Sequence, residues 1–295
     1  MPPTHAKKCP FCGKPVFNNH AKYCRKCSKF AFRIMNTRMS PEAIKGIREY
    51  LHKKGYSCYY TGMSLEMTDT HSPWYCVFDH WIPNDQRKVV ITSSLINNMK
   101  SELLEEEFWY IIRQLASCKR KHTKVRKIKL LYWNRKYTAD NEEGFGLKVL
   151  PVLTTGTCTK KCDVCGKRID IYNSKYCLLC AKFVARLHSK GLPPETIEAT
   201  LAYIRKHGYR CYYTGMALEL YDASSPWYCV FDHWIPRHPG KVVITSALVN
   251  QMKSDLSEKE FWYYVFQLAD YKEKHKKVRK KKLVYWYRLV PVEDV

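Results

Sequence analysis

The sequence predicts an α+β protein that contains two copies of one module. Each copy is expected to hold a four-cysteine zinc ribbon, a strand–strand–helix region with flanking helices, and a basic C-terminal strand. Long strings recur, and SPWYCVFDHWIP occurs twice without change. Each half also has two CxxC pairs, and apolar residues follow strand and helix periodicity. Asp79 and Asp232 lie 153 positions apart (232 − 79), as do the other matched residues, so we expect the copies to fold alike.

The domain boundaries follow from this repeat. The first copy is predicted to span residues 1–136, with its ribbon at 7–30 and its strand–strand–helix region at 56–105. The second copy is predicted to span 158–295, with the same regions at 160–183 and 209–258. Residues 137–157, which include DNEEGFG, fall outside the matched strings and are the predicted linker. A tandem pair is a covalent pseudo-dimer, so we expect a monomer with two approximately symmetric sites.

The elements of one copy can be assigned in order. After the cysteine pairs, a helix is expected from Pro41 to Gly55 and from Pro194 to Gly208, because proline favours a helix start and glycine a helix end. The aromatic and β-branched strings WYCVFDHWIP and KVVIT predict two strands. SLINNMKSE predicts a short helix, and an amphipathic helix follows it. A basic, strand-like segment ends the copy.

The net charge indicates the class of partner. Lysine and arginine outnumber aspartate and glutamate by 51 to 27, for a net charge of +24 and a pI near 9.5. Such an excess favours a polyanion, and a phosphate backbone is the natural one. A solubility role or an anionic membrane surface is the alternative, but no amphipathic membrane helix accompanies the charge.

Eight of the fourteen cysteines fall in CxxC pairs, which is typical of metal binding by thiolates. Together with the lack of a secretory signal or a membrane span, this predicts an intracellular, reducing compartment: cytoplasm, nucleoid or organelle matrix. Redox-active or merely buried cysteines are the alternative. Four sulfur ligands leave no open position, so each four-cysteine group is predicted to hold a structural zinc ion. The predicted ligands are Cys9, Cys12, Cys24 and Cys27, and Cys162, Cys165, Cys177 and Cys180.

The strings FDHWIP and VVITSSLINNMKS resemble the signature of HNH (ββα-metal) endonucleases, and CYYTG is similar to the segment before it in many members. The resemblance implies that one aspartate and one asparagine per copy bind Mg²⁺ or Mn²⁺, and that the histidine accepts a proton from the attacking water. Carboxylate and amide oxygens suit these metals, and histidine titrates near neutrality. The implied residues are Asp79, Asn97 and His80, and Asp232, Asn250 and His233. Lys88 and Lys241 stand where the family usually has a bracing asparagine, so the bracing must differ or the site is weakened.

Basic residues near these motifs are the predicted nucleic-acid contacts. Phosphate contacts supply affinity without specifying sequence. The predicted set is Lys88, Lys100, Lys119, Arg120, Lys121, Lys124, Arg126, Lys127 and Lys129, and Lys241, Lys253, Lys276, Lys277, Arg279, Lys280 and Lys282.

The sequence therefore predicts a metal-dependent DNA endonuclease of the homing or restriction type. Its two sites would each hydrolyse one strand of a duplex. The alternative is a non-catalytic RNA- or DNA-binding protein with a domesticated HNH fold, for example in a ribonucleoprotein. The composition does not distinguish DNA from RNA.

Overall fold

The computed structural model describes residues 7–16, 21–37, 39–83, 85, 87–127, 160–169, 174–236 and 240–280. These residues form a mixed α+β structure with eight helices and three small two-stranded antiparallel sheets. The predicted linker lies outside them. None of the described helices combines the length and apolar composition that a membrane span requires.

The first copy has its predicted helices and strands in order, together with one helix, α1, that was not predicted from the sequence. They are β1 (Lys7–Lys8), β2 (Pro15–Val16), α1 (Arg25–Met35), α2 (Pro41–Lys54), β3 (Cys76–His80), β4 (Val89–Ser93), α3 (Ser94–Lys100) and α4 (Glu105–Lys121).

The second copy has the same helices and its two longer strands, each displaced by 153 residues. They are α5 (Leu178–His188), α6 (Pro194–His207), β5 (Cys229–His233), β6 (Val242–Ser246), α7 (Ala247–Lys253) and α8 (Glu258–Lys274). A single bridge between Lys161 and Arg168 takes the place of the β1–β2 pair.

Local signals explain where the elements begin and end. The Ser40 hydroxyl accepts a hydrogen bond from the Ala43 amide at 3.2 Å and caps α2, which begins at Pro41 as predicted. The helix ends before Gly55, whose φ of 66° is a conformation that favours glycine. Both predicted strands and the short helix after them are also observed.

The hairpin of β3 and β4 positions the Asp-His pair. Asp79 pairs with Val90 and His80 with Val89 in an antiparallel register, and His80 is the last residue of β3. Successive strand residues point to opposite faces, and Asp79 is buried whereas His80 is half-buried. Strand β4 runs directly into α3, so strand, strand and helix follow one another as predicted.

Aromatic packing joins the cysteine-rich region to this hairpin. The Phe30 ring on α1 lies 5.3 Å from the Tyr56 ring and 5.3 Å from the Phe78 ring, between centroids. The Arg33 guanidinium donates to the Cys76 carbonyl at 2.8 Å. The cysteine-rich region therefore buttresses the strand that carries Asp79 and His80.

The chain divides into two compact units whose boundary differs from that of the repeat. Unit 1 contains the described residues of 1–116 and 254–280, whereas unit 2 contains those of 117–253. Helix α8 of the second copy therefore belongs to unit 1, and the segment after α4 belongs to unit 2.

Most of the basic strand predicted at the end of each copy lies outside the described residues, and the part that is described is irregular. Residues 122–127 and 275–280 form no strand. Helices α4 and α8 are followed by His122 and His275, which have φ of 53° and 54° and redirect the chain. Val125 is nevertheless buried between exposed basic neighbours, as is Val278, so each irregular segment packs through one valine.

Candidate metal centres and the Asp-His-Asn sites

Four cysteine sulfurs converge in each copy. Within each group, the sulfur atoms lie within 4.8 Å of one another. The Sγ atoms of Cys12 and Cys24 are 3.6 Å apart, and those of Cys165 and Cys177 are 3.7 Å apart. Sulfurs bound to one zinc ion at about 2.3 Å in a tetrahedron are separated by about 3.8 Å. Each group thus fits a zinc ion with four thiolate ligands, as the spacing predicts.

The two CxxC pairs of one copy adopt different structures. Cys9 and Cys12 lie in a tight turn between β1 and β2, where the Gly13 amide donates to the Cys9 carbonyl at 2.9 Å. The second pair lies at the start of a helix: Cys24 occupies the N-cap position of α1, and Cys27 lies in its first turn. The positive end of the helix dipole stabilises a thiolate there, so the helix contributes directly to the metal centre.

The pKa values of the thiols within one four-cysteine group shift in opposite directions. Burial by itself raises the pKa of Cys9, but hydrogen bonds with backbone groups of Cys24, Phe11 and Cys12 outweigh it and lower the pKa to about 7. Burial and the neighbouring thiols raise the pKa of Cys27 above its ordinary value, so its proton leaves readily only when a cation replaces it.

A tyrosine supports each metal centre. The Tyr56 hydroxyl donates to the Cys27 sulfur at 2.9 Å, and the Tyr209 hydroxyl donates to the Cys180 sulfur at 3.2 Å. Donors to ligand atoms orient them and tune the metal. Sequence reasoning missed these tyrosines, although the repeated GY that opens GYSCYYTG and GYRCYYTG was a usable signal.

Asp79 is almost fully enclosed and has two partners. The Tyr60 hydroxyl donates to its Oδ2 atom, and the Lys100 Nζ atom lies 3.2 Å from Oδ2 and 3.3 Å from Oδ1. The same Nζ atom donates to the His80 carbonyl at 3.3 Å. The Lys100 side chain is 0% exposed and the Asp79 side chain 6% exposed, so the ion pair is buried.

The second copy repeats this arrangement. The Tyr213 hydroxyl donates to Asp232 Oδ2 at 2.5 Å, and the Lys253 Nζ atom lies 3.1 Å from Asp232 Oδ1 and 3.1 Å from the His233 carbonyl oxygen. Its occurrence in both copies indicates that this triad of tyrosine, aspartate and lysine is an integral part of the site.

The carboxyl groups of this triad titrate abnormally. Burial raises the pKa of Asp79 above its ordinary value, and the Lys100 charge and the Tyr60 hydrogen bond oppose that rise. Burial raises the pKa of Asp232 in the same way, against Lys253 and Tyr213. The positive charge of the lysine therefore favours the ionised aspartate, whereas burial favours the protonated form.

Lys100 and Lys253 were predicted to contact nucleic acid, but both are completely buried. Since each is held by an aspartate inside the protein, neither lies on a surface that a phosphate backbone reaches. Each instead forms an ion pair with the aspartate of its own copy. The N-x-x-K spacing was a signal for this, because residues three apart share one helix face.

The asparagines lie on the same helices. Asn97 precedes Lys100 by one turn of α3, and Asn250 precedes Lys253 by one turn of α7; both are half-buried. Lys100 on this helix contacts Asp79. The structure thus brings together the strand with Asp79 and His80 and the helix with Asn97.

Lys88 and Lys241 lie over tryptophans. The Lys88 Nζ atom is 3.1 Å from the Trp81 ring centroid, and the Lys241 Nζ atom is 3.3 Å from that of Trp234. Both lysines are exposed, and the contact is a cation–π interaction. The strand end beside the histidine is thus braced by a lysine–tryptophan stack.

Two of the remaining predicted nucleic-acid contacts, Lys129 and Lys282, lie outside the described residues. The others lie at the surface. The exposed ones are Lys119, Arg120, Lys121, Lys124, Arg126, Lys127, Lys276, Lys277, Arg279 and Lys280.

Comparison with known proteins adds no family to these observations. No protein-family model matches this chain, and no curated protein and no solved structure does either.

Proposed function

We propose that the protein is a metal-dependent endonuclease that cuts duplex DNA, with one Asp-His-Asn site acting on each strand. One observation carries the proposal. In both copies a histidine that ends one strand follows a buried aspartate, and the paired strand runs directly into a helix that carries an asparagine. The net charge of +24 supports a polyanionic substrate.

The residues that would hold an Mg²⁺ or Mn²⁺ ion are Asp79 and Asn97 in the first copy and Asp232 and Asn250 in the second. Asp79 and Asn97 offer hard oxygen ligands, which these ions prefer. A carboxylate has about four acceptor positions, and Tyr60 and Lys100 use only some of those on Asp79. When bound, the ion would lower the pKa of water and stabilise charge on the leaving oxygen.

Other side chains prepare the site for this chemistry. Lys100 favours the charged form of Asp79, which a metal ligand requires. His80 accepts the proton of the attacking water, and its position at the end of β3 leaves its ring half-buried at the edge of the hairpin. The four-cysteine groups would bind structural zinc, because four thiolates leave no position for substrate.

A second candidate function is binding without catalysis. It is favoured by the same buried ion pair, because a lysine ammonium already neutralises each aspartate without a metal ion. The protein would then hold DNA or RNA through its exposed basic residues, with the strand–strand–helix region serving as a scaffold.

Cleavage of supercoiled plasmid separates the two functions. The wild type would be incubated with Mg²⁺, Mn²⁺ or EDTA beside a His80→Ala/His233→Ala variant, with His71→Ala on an exposed loop as a matched control. We expect metal-dependent linear product from the wild type and the control, and none from the double variant. Nicking without linear product would mean that one site works. Equal inertness of wild type and double variant, with retained binding, would support the second candidate instead.

A further inference from the structure

The end of α4 and the basic segment after it, residues 118–127, contact the second copy within unit 2. The Cys118 thiol donates to the Thr214 carbonyl at 3.6 Å. Nine residues later, the Lys127 Nζ atom lies 2.6 Å from Glu219 Oε1. The hydrogen bond from Lys127 is the main reason that the pKa of Glu219 lies below its ordinary value. Cys118 and Lys127 therefore both contact the second copy, and all of these residues belong to unit 2.

A cleft of about 450 Å³ lies between this segment and the CYYTG loop of the second copy. Lys119, His122 and Lys124 line one side of it, and Tyr213 and Thr214 line the other. The basic side comes wholly from the first copy. A cleft with one positively charged wall concentrates anions.

This cleft adjoins the Asp-His-Asn site of the second copy. Tyr213, which lines the cleft, donates its hydroxyl hydrogen to Asp232. One side chain thus separates the cleft from the carboxylate of the site. An anion held by Lys119 and Lys124 would be separated from Asp232 by the Tyr213 side chain.

In unit 1, residues at the end of the second copy lie against the first copy. The Lys280 Nζ atom, equivalent to Lys127, lies 5.7 Å from the Trp74 ring centroid. The pKa of Glu66, equivalent to Glu219, is lowered mainly by a hydrogen bond from Thr68, and the Lys280 charge contributes. The Tyr264 ring on α8 also packs on Trp74, at 5.6 Å between centroids. The end of the second copy therefore lies on the first copy.

We propose that the two copies exchange their basic segments, so that each segment is the phosphate-binding wall of the other copy's site, with a duplex DNA backbone as the ligand. This inference rests on the proposed function. Lys121, Lys124 and Arg126 are exposed and form no ion pair within the described part of the chain, so they are available to phosphates. One copy alone would lack the wall beside its site.

The exchange itself can be tested without any activity. A carbodiimide joins a lysine amine to a carboxylate that touches it, and mass spectrometry of the full chain identifies the joined peptides. We expect links from Lys127 to Glu219 and from Lys280 to Glu66. Links from Lys127 to Glu66 and from Lys280 to Glu219 would overturn the exchange.

The role in binding is tested with chains that keep one site each. His80→Ala leaves the second site and His233→Ala leaves the first. Each chain is combined with Lys124→Gln/Arg126→Gln or with the equivalent pair Lys277→Gln/Arg279→Gln. We expect the first pair to lower cleavage by the second site roughly tenfold more than cleavage by the first, and the second pair to do the reverse, since each pair removes about two phosphate contacts.

The outcomes separate this inference from the proposed function. A larger effect of each pair on the site of its own copy overturns the inference while cleavage persists. If the wild type does not cleave, the proposed function fails. In that case the predicted cross-links, together with a salt slope of duplex binding reduced by about 1.8 in each paired variant, still support the exchanged walls. An unchanged slope overturns them.

Discussion

Replacing Lys100 by methionine tests the buried ion pair most directly. The substitution keeps most of the side-chain volume and leaves the Asp79 carboxylate buried without its cation. The Lys100 side chain is 0% exposed and its Nζ atom lies 3.2 Å from Asp79 Oδ2, so solvent screening is small. At that distance and an effective dielectric constant near 20, the attraction is about 5 kcal/mol. Removal of one partner of a buried pair costs about 3–5 kcal/mol.

We therefore expect Lys100→Met to lower the free energy of unfolding by about 3–5 kcal/mol at pH 7, measured by urea denaturation with tryptophan fluorescence in the presence of zinc. Asp79→Asn/Lys100→Met removes both charges and is expected to recover most of the loss. Lys253→Met provides the matched test in the second copy. A loss below about 1 kcal/mol for Lys100→Met, or a double variant as unstable as the single one, would refute a charged buried pair.

The same variant has a pH dependence of known sign. Burial already raises the pKa of Asp79, and removal of the Lys100 charge raises it further. A raised pKa in the folded state means that protonation stabilises the fold, and this contribution is lost as the pH rises through the folded pKa. The loss in free energy of unfolding caused by Lys100→Met should therefore become smaller as the pH falls. Asp79→Asn/Lys100→Met is the baseline, because it keeps both four-cysteine groups.

Three further predictions concern the metal centres and the lysine–tryptophan stacks. Metal analysis should give two zinc ions per wild-type chain and one for Cys27→Ser or Cys180→Ser, because each removes one of four ligands; two ions in either variant would contradict the assignment. Tyr56→Phe should lower zinc affinity about tenfold in a chelator competition, since the donor to Cys27 is lost, and an unchanged affinity would mean that the hydrogen bond is irrelevant. Lys88→Gln/Lys241→Gln should reduce the salt slope of duplex binding by about 1.8 if each lysine contacts one phosphate, and an unchanged slope would confine both to bracing Trp81 and its counterpart.

Much of the local structure could be predicted from the sequence because its causes are local. The helix from Pro41 to Gly55 starts and ends where proline and glycine dictate, and the two strands coincide with aromatic and β-branched strings. The cysteine spacing predicted the two four-cysteine groups, since four sulfurs with that spacing have few other uses.

The candidate site was predicted in part. The repeat identified Asp79, His80 and Asn97 as a set, and the fold brings their strand and helix together. It did not reveal that Lys100 is buried against Asp79, because charge composition alone suggests a surface position for a lysine. Only the packing of α3 on β3 decided that its ammonium meets a carboxylate and not a phosphate.

The tertiary structure alone decided where the basic segments lie. The repeat predicted that each copy keeps its own C-terminal end, whereas Lys127 meets Glu219 and α8 belongs to unit 1. The two copies are nearly identical, so a basic segment could pack in the same way on either one. Periodicity and composition therefore do not show which copy a basic segment packs on. The sequence determined which segments are basic, which contain the paired cysteines and which form strands, since those properties are local. Contacts between residues far apart in the chain, as between Cys118 and Thr214, determined which copy each basic segment packs against.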